Sequence, residues 1–100
     1  MAVGVLAAGP GFTEETYRRL SEKMFGTNAM AADQAPEGLI IHSAGQSDQG
    51  WYVYDNWESQ EHFQRFSDER IMPAAQELGL GEEARVQPQF FPIDTLVKGS

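Results

Sequence analysis

Two strand-forming runs separated by a short polar turn limit what this chain can fold into more than any other feature does. Leu39-Ile40-Ile41-His42-Ser43-Ala44 is apolar and rich in β-branched side chains, and Trp51-Tyr52-Val53-Tyr54-Asp55-Asn56-Trp57 is dense in aromatics. Between them Gly45 to Gly50 reads GQSDQG. Such residues suit a pleated, half-buried surface, and so short a connection joins the runs as an antiparallel hairpin. A lone hairpin is marginal in water, so the flanking sequence has to extend the sheet and cover one side of it.

The flanks have the pattern to do so. Met1 to Ala8 (MAVGVLAA) is apolar and ends at Gly9-Pro10-Gly11, as a buried strand followed by a turn does. A helix with full start signals follows. Thr13 is an N-cap, Phe12 and Tyr17 form a hydrophobic staple around it, and Glu14 and Glu15 suit the positive end of the helix dipole. Glu14–Arg18 and Glu15–Arg19 are i,i+4 pairs in the favourable order. Tyr17, Leu20 and Met24 make the core stripe, and Gly26 stops the helix. Thr27 to Glu37 is a connection, with a helical turn near Met30.

After the hairpin, Ser59 caps a second helix with Phe63 and Phe66 on one face. Pro73 should break it and start a short second piece through Leu78. Val86 to Ile93 (VQPQFFPI) is the last strand. Pro88 and Pro92 lack ladder donors, which places that strand at an edge or a bulge.

The order is therefore β-α-β-β-α-β, an α+β ferredoxin-like domain with two helices on one face of a four-stranded antiparallel sheet. Residues 1–98 make one domain, and Gly99-Ser100 is set aside as a tail or cloning remnant. The uncovered face should carry Leu39, Ile41, Tyr52 and Tyr54, which is apolar for a wet surface. A second copy is the simplest cover, giving a homodimer with its sheets face to face. A chain of 100 residues gains from such association, because small domains bury a small fraction of their surface.

Composition removes several kinds of function. Lys and Arg number 7 against 15 Asp and Glu, for a formal charge of −8. Nucleic acid needs an electropositive footprint, so it is not an expected partner, nor is an anionic membrane surface. There is no cysteine, which excludes disulfides, thiolate catalysis and iron–sulfur ligation. No run is apolar enough to span a bilayer and no signal pattern opens the chain, so the cytoplasm is the expected compartment. The two histidines and scattered carboxylates lack metal-ligand spacing. Gly9-Pro10-Gly11 is neither a phosphate loop nor a dinucleotide fingerprint, so no cofactor is expected.

The chemistry concentrates on the hairpin. Side chains alternate along a strand, so Trp51, Val53, Asp55 and Trp57 share a face. If Gly45 pairs with Gly50, His42 lies opposite Val53 with Asp55 on the diagonal, and His42, Asp55 and Trp57 share that face. A bulge in this region would turn the face over. A carboxylate beside an imidazole fixes its tautomer and favours its protonated form, which suits proton transfer near neutral pH. Two readings fit: a proton-transfer site in an apolar pocket, or a strand histidine held by a neighbour. His62, among Glu58 and Glu61, reads as a solvated helix residue.

Gly50-Trp51, Trp57-Glu58-Ser59, Phe63, Phe66, Asp68-Glu69-Arg70 and Pro73 together resemble the dimeric α+β barrel superfamily. The antibiotic-biosynthesis-monooxygenase-like group is the nearest part of it. Gly38-Leu39-Ile40-Ile41-His42 and Phe90-Phe91-Pro92 extend the resemblance over nearly the whole chain. It implies a homodimeric barrel with one pocket per subunit between sheet and helices. It also implies a small aromatic ligand and a cofactor-independent oxygenase of polyketide-like phenols or quinols. In that picture His42 is the general base and Asp55 orients it, while Trp57, Trp51, Phe63 and Phe66 shape the pocket.

The match is uneven. The haem-degrading branch has a histidine on the second helix where this chain has residues such as Ser67. The quinol oxygenases place an asparagine where this chain has Val53, and Asn56 should face the other way. A cyclase or isomerase using the same base without oxygen, and a non-catalytic ligand-binding dimer, are the alternatives.

Overall fold

A computed structural model describes residues 1–9, 11–81 and 87–99. The strands are β1 (Val3–Ala8), β2 (Leu39–Ser47), β3 (Gly50–Trp57) and β4 (Gln89–Pro92), in the spatial order β2-β3-β1-β4. Every pairing is antiparallel, which makes the sheet ferredoxin-like. β4 lies at an edge, where Pro92 costs the ladder least, and Val86 falls outside the described residues. Helix α1 (Glu14–Phe25) and a second helical run, α2 (Gln60–Phe66) and α3 (Met72–Glu77), complete the domain. A short 3-10 turn at Ala32–Gln34 lies just beyond Met30. Among the described residues no helix is long and apolar enough to cross a membrane.

α1 starts and stops where its signals stand. The Thr13 hydroxyl accepts from the Thr16 amide, and Gly26 closes the helix in the left-handed region at φ 78°. Phe12, Tyr17 and Trp51 are buried together, so the staple also joins α1 to β3. Glu14 reaches Arg18 at 3.2 Å, whereas Glu15–Arg19 is not among the described ion pairs. At the start of α2 the Ser59 hydroxyl caps the His62 amide. The His62 ring fills the space that a Cβ on Gly38 would take, and Gly38 sits at φ 89°.

Two expectations change. Pro73 does not break the second helix; the chain winds through a π turn over Ser67–Ile71, with the Met72 amide bonded to the Ser67 carbonyl, and continues into α3. A regular α-helix would press the Pro73 ring against the carbonyl four residues back, and the wider turn relieves that conflict.

The second change is a bulge at Ile40. Leu39 pairs with Trp57 while Ile41 pairs with Asn56, so Leu39 turns to the helix-covered face and packs on Val3, Val5 and Trp57. The uncovered face therefore has Ile41, Tyr52 and Tyr54 without Leu39, and adds Leu6 and Phe91.

Candidate active site

The hairpin turn is tighter than GQSDQG suggests. Ser47 pairs with Gly50, leaving Asp48 and Gln49 as the loop, and His42 lies directly opposite Asp55. This register differs by two residues from one pairing Gly45 with Gly50. An even shift preserves the facing of every side chain, and the Ile40 bulge lies on the far side of His42 from the turn.

The pairing brings four polar groups into one chain of contacts. His42 Nδ1 and Asp55 Oδ1 are 2.7 Å apart, and the Trp57 indole N–H donates to Asp55 Oδ2 at 3.3 Å. On the other side of the ring, His42 Nε2 is 2.7 Å from the Tyr17 hydroxyl. The Tyr17 and His42 rings are nearly parallel, at 12°, with centroids 6.0 Å apart. Asp55 is 8% exposed and Trp57 1%, so the acidic end of the chain is well shielded from water. Burial pushes the Tyr17 phenol above the ordinary tyrosine range; Ser21 and Arg18 pull it down, and Asp55 adds to the rise.

This chain of contacts forms part of the wall of a cavity of about 350 Å³ between the sheet and the helices. That volume lies in the lower part of the roughly 300–1,000 Å³ range of ligand pockets. Trp57, Phe63 and Phe66 all face it, with Phe63 edge-on to Trp57 at 5.7 Å and Phe66 tilted at 5.6 Å. Ser67 and Ile71 reach the cavity from the π turn, a helical irregularity often found at functional sites. Trp51 stands behind Tyr17, with ring centroids 5.5 Å apart, and is not among the lining residues. Among the described lining residues none is Lys or Arg, and Asp55 is the one carboxylate. No three described His, Asp or Glu side chains gather to hold a metal ion.

Tyr17 is the site residue that periodicity alone misses, because its place in the stripe of α1 reads as core. The signal was its hydroxyl, since a buried tyrosine O–H usually finds a partner. Ser21, one turn later on the same buried stripe, is a second polar group facing the cavity.

No family model matches the chain, and no curated protein matches it. Among solved structures it is similar to the crystal structure of PA3566 from Pseudomonas aeruginosa. The TM-score is 0.50 at 17% identity, covering 96% of this chain and 92% of that one. Likeness at that identity bears on fold alone, and it agrees with the topology described above: the chain is a small α+β sheet protein.

Proposed function

We propose that this chain is a small-molecule enzyme of the antibiotic-biosynthesis-monooxygenase-like group. It acts as a cofactor-independent monooxygenase of aromatic, polyketide-like phenols or quinols, with His42 as the general base. The observation that carries this reading is the Tyr17–His42–Asp55 chain of contacts in the wall of an apolar cavity. A base needs a proton path and a partner for the charge it acquires, and Asp55 supplies the partner. Among the described lining residues none is Lys or Arg, which suits a neutral ligand better than a phosphate or carboxylate. Once deprotonated, a quinol or anthrone is electron-rich enough to reduce dioxygen.

A cyclase or isomerase would form the same anion and use it as an enolate. A non-catalytic dimer with a filled interior is less well supported, because the space beside His42 is open. The bare sheet face, with Ile41 54% and Phe91 44% exposed, supports a homodimer built on that face. Sedimentation of Ile41→Lys at micromolar concentration should show a monomer where the parent chain is a dimer. A monomeric parent chain would refute the dimer.

The test of activity is oxygen uptake by metal-stripped protein with a panel of anthrones and hydroquinones, beside His42→Ala. Uptake by the parent chain should fall at least about a hundredfold in the variant. Parent-level uptake in His42→Ala rejects the base. Phenol binding that shifts tryptophan fluorescence without oxygen loss favours the cyclase or isomerase, and neither signal favours a binder of other ligands.

A further inference from the structure

We propose that the atom that takes the ligand's proton is the hydroxyl oxygen of Tyr17, with His42 acting through it. The inference rests on the proton-transfer reading above and adds which group meets the ligand. An imidazole has two nitrogens, and both are already engaged: Nδ1 with Asp55 and Nε2 with Tyr17, each at 2.7 Å. A ligand proton therefore has no free ring nitrogen to reach unless one of these contacts breaks. The Tyr17 oxygen is different. A carboxylate only accepts, so Asp55 draws the ring proton to Nδ1 and leaves Nε2 to accept from the phenol. With its own proton directed at His42 and the Ser21 hydroxyl bonded to it from α1, the Tyr17 oxygen keeps one lone pair for a donor in the cavity that it lines.

The transfer is balanced without a free phenolate. The ligand's O–H or C–H bond breaks and its proton forms a new O–H bond on Tyr17. The original phenolic proton crosses to His42 Nε2. The bonding pair stays on the ligand as an anion, and the imidazolium charge faces Asp55. Burial disfavours a resting phenolate, consistent with a hydroxyl that passes protons and does not store charge. From the imidazolium state the same oxygen can return a proton to the ligand, with Nε2–H now donating to it.

Tyr17 is held for this role. Phe12 and Trp51 pack it from the staple side, the Arg18 guanidinium lies 5.4 Å from its ring centroid, and its ring lies nearly parallel to that of His42, edge to edge through the 2.7 Å contact.

Two measurements decide the proposal. Nitrogen-15 shifts of the neutral His42 ring should show the proton on Nδ1 and a hydrogen-bonded bare Nε2. That Nε2 signal should move toward an unbonded nitrogen in Tyr17→Phe. A proton on Nε2 in the parent chain overturns the proposal, because the phenol could then not hand its own proton to the ring. With any panel substrate that turns over, Tyr17→Phe should lose at least about a hundredfold in kcat, with KM within a few-fold. Parent-level kcat in Tyr17→Phe beside a lost kcat in His42→Ala also overturns it, while leaving His42 as the base. No turnover by the parent chain counts against the proposed function instead, and the nitrogen shifts still decide between the two arrangements.

Discussion

Trp51 and Trp57 stand at opposite ends of one strand and point to the same face, yet their surroundings differ. Trp57 is 1% exposed, braced by Phe63 and Phe66, and its N–H is bound to Asp55. Trp51 is 8% exposed and packs on Phe12 and Tyr17, with Arg18 5.5 Å from its ring centroid. Its buried indole nitrogen has no partner among the described residues. At the C-terminal end of β3 the aromatic layer is tied to the polar contacts through Asp55; at the hairpin-turn end it is tied through Tyr17. Each tryptophan thus supports one terminus of the Tyr17–His42–Asp55 chain, Trp57 by a hydrogen bond and Trp51 by packing alone.

The largest break in that comparison is Trp57→Ala. It empties the tightest part of the core and removes a donor from a buried carboxylate, so unfolding free energy should fall by about 3–5 kcal/mol. Trp51→Ala should cost less, because its site lies nearer solvent and its indole has no hydrogen bond to lose among the described residues. Urea midpoints at constant slope measure both. Equal losses would mean that the two ends of β3 are equivalent and that the Asp55 bond adds nothing.

Element order was legible from residue pattern because each helix has its own stop and start residues and the hairpin runs are uniform in character. The face shared by His42, Asp55 and Trp57 was legible for a subtler reason. Turn length was misjudged by two residues, and strand periodicity forgives an even error. Leu39 shows the opposite case, where a single bulge residue at Ile40 reverses the facing, and nothing in LIIHSA marks which residue will bulge. The π turn before Pro73 was illegible because a proline states only that one amide is missing, not how the helix accommodates it. Tyr17 was hidden by its own packing: its ring satisfies the apolar stripe while its hydroxyl contacts His42 on β2 directly.

That double role predicts a pH dependence specific to the hairpin-turn end. The Tyr17 phenol is raised in the folded chain, so its contribution to stability is complete below the unfolded tyrosine value, near pH 10. As pH climbs above that value the unfolded chain ionises first, and the contribution is lost through the folded pKa. Stability of the parent chain relative to Tyr17→Phe should therefore decline on going from pH 9 to pH 11. An unchanged difference would mean that Tyr17 ionises as readily in the folded chain as in the unfolded one.

The smallest effect separates the two indoles most sharply. Trp57→Phe deletes an N–H that Asp55 Oδ2 accepts, leaving a buried carboxylate oxygen short of a donor, which costs about 1–3 kcal/mol in addition to lost packing. Trp51→Phe deletes an N–H already removed from water and without an acceptor among the described residues, so the variant gives up contact area but recovers a desolvation cost. The two contributions oppose each other, and the net change should stay within about 1 kcal/mol. Thermal or urea midpoints of the two phenylalanine variants, measured side by side, give the difference directly. A loss at Trp51 as large as that at Trp57 would show that its indole nitrogen does have a partner, with bound water the obvious one, and the contrast between the strand ends would then be one of partner and not of satisfaction.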